Sequence, residues 1–446
     1  MFLFTTFSTR LSWLAVCVAS SLLFVVQTAA FANGPEPAPL TLGNAQRAAL
    51  ARSRLVAAQD FAISASRDMA IAAAQRPDPV LKFGIDNLPV SGSDRFSVTN
   101  DFMTMRRVGV MQELTRSDKR SARSEKYERM ADKSAAEKTV AIANLQRDTA
   151  LAWLDRYYAE QNMVILTEQA AQARREIEVA DEAYRSGKGS QADVFAARGA
   201  LTMIDDRSSE ARRRVANAKV MLARWSGQPL EAPLASPPMM DAIRLNPATL
   251  DTELDHHPEI TALRMQEAVA RAAVKVAEAE KKSDWTIEVA FQQRGPAFSN
   301  MASIGFSIPI QWDQKNRQDH EVAAKLAEAE GAKADREEML RTHVAETRVQ
   351  INEWENGRER ISRYSNELRP LAHQRTEATV AAYRGGKAAL PEVLMARRAE
   401  IDLLLQIVQL QAETAQRWAR LNYLLPDDSV MSAGDMGAMH STGEFK

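Results

Sequence analysis

Between Asp284 and Trp312 the chain alternates. Trp285, Ile287, Val289 and Phe291 take every second place, with Thr286, Glu288, Ala290 and Gln292 between them. Arg294-Gly295-Pro296 breaks the run. It resumes with Ile304, Phe306, Ile308, Ile310 and Trp312 set against Ser303, Gly305, Ser307, Pro309 and Gln311. A period of two marks a strand with one apolar and one wet face. Two such runs around a Gly-Pro turn predict a β-hairpin over 284–312. A lone hairpin is barely stable in water. It is therefore either part of a small sheet packed on helices or a membrane hairpin with its apolar face to lipid and its polar face to a lumen. Trp285 opens the first strand and Trp312 closes the second, so both fall at one end, as an aromatic girdle at a membrane interface would.

A similar pair lies upstream. Leu81, Phe83 and Ile85 alternate with Lys82, Gly84 and Asp86, a turn-rich stretch runs from Asn87 to Asn100, and a second strand is predicted over Met103–Leu114. This places the first hairpin at about 79–114. The rest of the chain has helical spacing. One helix is expected from Thr41 to Arg76, stopped by Pro77 and Pro79. From Arg116 to Arg185 there is neither proline nor glycine, which predicts a helix about 105 Å long. Such a length points to coiled-coil packing rather than a globular core. Ser186-Gly187-Lys188-Gly189-Ser190 turns the chain, and a second helix returns through Trp225. Residues 227–258 carry Pro229, Pro233, Pro237, Pro238, Pro247 and Pro258 and read as an irregular connector. The scheme then restarts: helix to Lys282, hairpin 284–312, long helix 317–385, a break, and helix 391–424.

The two halves repeat in detail. Ala183-Tyr184-Arg185-Ser186-Gly187-Lys188 returns as Ala382-Tyr383-Arg384-Gly385-Gly386-Lys387. At the same interval, Asp193-Val194-Phe195-Ala196-Ala197-Arg198 returns as Glu392-Val393-Leu394-Met395-Ala396-Arg397. Near the strand ends, Val108-Gly109-Val110 answers to Ile304-Gly305-Phe306. The domains follow: a first repeat over 33–226, the connector 227–258, a second repeat over 259–425, and a tail 426–446 expected to be disordered. Four strands cannot close a barrel, since small ones need about eight. Open edges are not tolerated in lipid. The membrane alternative thus requires further copies of the chain.

The N-terminus favours that alternative. Arg10, the apolar run Leu11–Val26 and Ala30-Phe31-Ala32 have the layout of a signal peptide over 1–32. Cys17, the single cysteine, lies inside the apolar run, where its neighbours match a lipoprotein box poorly. A chain cleaved after Ala32 would hold no disulfide and no thiolate metal site. Formal net charge is −1, which argues against a nucleic-acid partner. No catalytic Ser-His-Asp pattern, phosphate loop or His-x-x-x-His is present, so neither an enzyme nor a cofactor is expected.

On the duplicated order and the Tyr-x-x-Gly-x(5)-[Asp/Glu]-Val turn, at Tyr184/Gly187/Asp193 and Tyr383/Gly386/Glu392, the chain resembles the TolC-like outer-membrane factors of tripartite efflux and secretion systems. The resemblance runs from about 41 to 425. The stretch from Asn87-Leu88-Pro89-Val90 to Lys119-Arg120 is similar to the heavy-metal-efflux branch. The resemblance implies a mainly α protein with a membrane β-barrel: a homotrimer whose twelve strands close one barrel on a coiled-coil helical tunnel. It implies as partners outer-membrane lipid, a periplasmic adaptor and an inner-membrane RND pump. It places Asp193, Glu392, Tyr184, Arg185, Tyr383 and Arg384 at the periplasmic aperture. The acids also fit a plain role as helix-start residues favoured by the macrodipole. Drug or type I protein export is the alternative cargo, and a periplasmic coiled-coil adaptor without a barrel is the alternative class. Met431, Met436, Met439 and His440 are soft donors suited to Cu(I), or simply part of a disordered tail. His256-His257 reads as a solvated pair near a helix start or as a metal site.

Overall fold

The computed structural model describes residues 38–430. The expected signal peptide with Cys17 and the tail donors Met431, Met436, Met439 and His440 lie outside the described residues. In chain order the elements are α1 (Leu42–Arg52), α2 (Arg54–Ala73), β1 (Val80–Asp86), β2 (Met105–Leu114), α3 (Ser117–Arg185) and α4 (Gln191–Ser226). The second half follows as α5 (Leu250–Asp255), α6 (Pro258–Glu280), β3 (Trp285–Gln293), β4 (Met301–Ser307), α7 (Gln318–Arg363), α8 (Arg369–Arg384) and α9 (Leu390–Asn422). The duplicated unit is therefore present as helix, hairpin, long helix, turn and returning helix.

Three expected elements differ, each for a local reason. The first helix breaks at Ser53, whose backbone is extended and whose side chain accepts from Val56 N–H, ending α1 and capping α2. The long helix over 317–385 widens into a π turn at Tyr364–Leu368, just before Pro370. Proline has no N–H to donate one turn back, and the widened turn takes up the misfit. The last strand stops at Ser307, two residues short of Pro309, so Trp312 lies outside it. The alternation of Ile308, Ile310 and Trp312 thus continues past the point where the ladder loses a donor.

The four strands form one antiparallel sheet in the order β1-β2-β3-β4. Its register sorts the residues by face, because directly opposed residues point the same way. Leu81, Val110, Val289 and Ile304 are in register, as are Phe83, Val108 and Phe291. All of them are exposed in the single chain. The opposite face is polar. Lys82 Nζ meets Glu288 at 2.6 Å, and Arg107 reaches both Glu288 and Asp86 at 3.3 Å. That face also carries a row of small residues: Gly109 sits against Ala290, and a Cβ on Gly109 would stand 2.9 Å from the Ala290 Cβ. The two hairpin loops interlock at the far end, where Gly295 lies against Thr99 and Arg294 donates to the Phe102 carbonyl.

Among the described residues no helix is long and apolar enough to cross a membrane. The helices are alanine-rich, and their main core is a belt where α1, α3, α5, α7 and α9 meet. Trp153, Trp354 and Trp418 fill it. The connector is not a loose link. It wraps this belt as a strap: Leu40 bridges to Leu234, Trp153 Nε1 donates to the Leu40 carbonyl at 3.0 Å, and Trp418 Nε1 donates to Ala242 at 2.8 Å. Leu250 and Leu254 of α5 are buried in the same cluster.

One ion pair joins sheet to helices. Lys119 in the first turns of α3 is 8 % exposed and sits 2.6 Å from Asp284, the residue before β3, which is 14 % exposed. The other Asp284 oxygen accepts from Arg116 N–H at 2.9 Å. Removing one partner of a buried pair strands the other charge. Asp284→Ala should therefore cost about 3–5 kcal/mol, read as a lower denaturation midpoint. Adding Lys119→Met should recover most of that loss. A double variant as unstable as the single one would show that the pair does not hold the junction.

Candidate functional site

The two interhelical turns are near copies. Gly187 (φ +72°) and Gly386 (φ +71°) occupy the left-handed region that glycine enters without strain. Gly187 N–H donates to Tyr184 C=O at 3.0 Å and Gly386 N–H to Tyr383 C=O at 2.9 Å. Lys188 N–H and Lys387 N–H close the next turn on Ala183 and Ala382, at 2.9 and 2.8 Å. The Tyr-x-x-Gly spacing thus serves the backbone: the glycine reverses the chain after the helix and its N–H satisfies a terminal carbonyl.

The motif continues into the returning helices. Val194 and Val393, each following an acid, are buried together with Ala180, Ala197 and Leu390, and Tyr383 packs on that cluster. The valines therefore bring the two turns, and with them Asp193 and Glu392, to one end of the bundle. The acids are not equivalent. Asp193 forms a full capping box with Ser190: its Oδ2 accepts from the Ser190 N–H at 2.9 Å and from the hydroxyl at 2.7 Å, while Ser190 Oγ accepts from the Asp193 N–H at 3.2 Å. At the second turn Ala389 stands where Ser190 does and has no oxygen to offer. Glu392 keeps one long contact, 3.5 Å from Ala389 N–H, and is exposed. Tyr184, Arg185 and Arg384 are exposed as well, and Arg185 pairs with Asp181 of its own helix at 2.5 Å.

Trp285 and Trp312 lie near the helix-side end of the sheet. Gln311 Nε2 donates to the Glu280 carbonyl at the end of α6, at 2.8 Å, which sets the segment before Trp312 beside the entry to β3. Both indoles are exposed, Trp312 by 89 %.

An arginine that pattern reasoning passed over ties the turn end together. Arg397 of α9 reaches Glu176 of α3 at 3.2 Å, Glu400 at 3.5 Å and Glu377 of α8 at 3.7 Å. Burial raises the Glu176 carboxyl above its ordinary range, with Arg397 opposing that rise. The repeat set Arg397 beside Arg198, but only Arg397 is drawn inward, and nothing in the residue types distinguishes the two. Arg397→Met should leave Glu176 buried without its cation. It should destabilise this end by about 1–3 kcal/mol, measured as earlier amide exchange in 173–200 and 376–401. Unchanged exchange there would show that the arginine holds nothing together.

No family model matches the chain. The cobalt-zinc-cadmium resistance protein CzcC of Cupriavidus metallidurans is 23 % identical over 312 residues, 69 % of this chain and 73 % of that protein. Among solved structures, the Campylobacter jejuni CmeC outer membrane channel is similar at a TM-score of 0.73, with 12 % identity over 90 % of this chain and 89 % of that one. The Vibrio cholerae outer membrane protein VceC is similar at 0.70, with 18 % identity over 86 % and 95 %. The chain carries the fold of the TolC-like outer-membrane efflux channels.

Proposed function

We propose that the protein is a passive outer-membrane conduit for heavy-metal cations, working as a homotrimer with a periplasmic adaptor and an inner-membrane RND pump. The sheet carries this reading. It has an apolar face, a charged face and two unpaired edges, β1 and β4. In lipid those edges need partners, and three chains supply twelve strands for one barrel. Its charged face, with Lys82, Arg107, Glu288 and Asp86, would then line a water-filled lumen. Trp285 and Trp312 suit the membrane interface nearest the helices. The likeness to a cobalt-zinc-cadmium resistance protein supports metal as cargo. Energy comes from the pump, and the conduit itself does no chemistry.

The paired turns form the periplasmic aperture in this reading. Three copies of Asp193 and Glu392 make an acidic ring that favours cations, with Tyr184, Arg185, Tyr383 and Arg384 around it. Capping and lining are compatible for Asp193, whose capping bonds all go to Oδ2. Glu392, held by one long contact, is the freer carboxylate.

Two measurements test these claims. In planar bilayers, Asp193→Asn with Glu392→Gln should lower the preference for cations while the channels still insert; an unchanged preference removes the acids from the aperture. A strain lacking the protein should tolerate less cobalt, zinc, cadmium, copper or silver and keep its resistance to hydrophobic drugs. Sensitivity to drugs alone would assign the conduit to drug efflux. Release of the protein from membranes by a carbonate wash would instead make it a periplasmic scaffold.

A further inference from the structure

The strap ends at His256-His257, and this pair is not uniformly solvated. His256 is exposed, whereas His257 is buried. His257 caps α6, its Nδ1 accepting from the Glu259 N–H at a long 3.3 Å. The Leu424 backbone also lies against the ring. Opposite stands His343 of α7, with Nε2 2.9 Å from Glu259 Oε2. The two imidazole rings are 4.8 Å apart. One donor atom each from His257, Glu259 and His343 lies within 4.8 Å of the others. They line a cavity of about 230 Å³ among α3, α6, α7 and the end of α9. The α7 wall is His343, Glu346, Thr347 and Gln350, a spacing that puts all four on one helix face. Gln350 Oε1 is buried there with no hydrogen-bond partner among the described residues.

We propose that His257, Glu259 and His343 bind one divalent transition-metal ion of the Zn2+ class, leaving a fourth position open to water. Two imidazoles and one carboxylate form a recognised donor set for zinc, which takes nitrogen and oxygen ligands at about 2.0–2.2 Å. In the metal-free state the Glu259–His343 pair is an ordinary ion pair, which accounts for two of the three groups, while His257 makes only the long cap bond. Closing the site needs His257 to approach by roughly an ångström, since tetrahedral zinc spaces its ligands more tightly than 4.8 Å. Arg147 and Glu346 also line the cavity, and Arg147 pairs with Asp148 at 3.2 Å.

Such an ion would clamp the end of the strap to α7, across the seam where the second repeat begins. It is independent of what the conduit carries. The test uses the full chain in detergent, stripped with a chelator and titrated with Zn2+ alone by calorimetry and with Co2+ by visible absorption. The parent should bind one tight equivalent and give Co2+ ligand-field bands. Glu259→Gln and His343→Gln should each weaken binding tenfold or more, whereas His256→Gln and His440→Gln should leave it unchanged. If His343→Gln fails to assemble, the less buried Glu259→Gln supplies the comparison. No uptake by the parent, equal affinity in both cavity variants, or loss only on changing His440 would each overturn the proposal. Loss of metal resistance in a deletion strain is a separate result, so the two claims can fail independently.

Discussion

Backbone hydrogen bonds at the two ends of a four-stranded sheet constrain everything else about this protein. Among the described residues, β1 and β4 are the edge strands, with no further strand paired on their outer sides. Beside Leu81, Phe83, Ile304 and Phe306, all exposed, water is the wrong neighbour for the side chains. Lipid is the wrong neighbour for the backbone. A barrel closed by sister copies would satisfy both at once, which is how the sheet supports the proposed assembly. The inner face is suited to such closure. Gly109 against Ala290 leaves room for the strands to curl toward their polar side, where a larger side chain would collide.

Stability is then concentrated away from the sheet. The described core of these long alanine-rich helices gathers at the belt of Trp153, Trp354 and Trp418, bound by the strap. Gly357 lets α7 and α9 approach closely there, with Thr414 in the place a side chain would occupy. Toward the turns the apolar clusters shrink, and Arg397 links α3, α8 and α9 through carboxylates. Toward the sheet, Lys119 and Asp284 fasten the first turns of α3 to the start of β3. Ion pairs thus serve at both ends of the bundle and aromatic packing in the middle.

The repeat is close but not exact, and its departures carry meaning. Ser190 completes a capping box for Asp193, whereas Ala389 cannot do so for Glu392. Arg198 stays exposed while its counterpart Arg397 is drawn inward. Two turns of nearly identical backbone therefore present one anchored and one loosely held acid. A three-fold assembly of such chains would alternate the two kinds around its mouth.

Alternation with a period of two placed β1, β3 and β4, and a proline- and glycine-free run placed α3, because each depends on local chemistry; β2 is less cleanly patterned. The duplicated Tyr-x-x-Gly and Asp/Glu-Val segments announced two matching turns for the same reason. Where the last strand ends is also local, yet the apolar pattern runs on past Pro309 and conceals it. Contacts between distant segments could not be read this way. The strap around the tryptophan belt, the gathering of Glu176, Glu377 and Glu400 on Arg397, and the meeting of His257 with His343 all join residues far apart in the chain. His256 and His257 are identical in type and adjacent, and packing alone sends one to solvent and the other into a cavity.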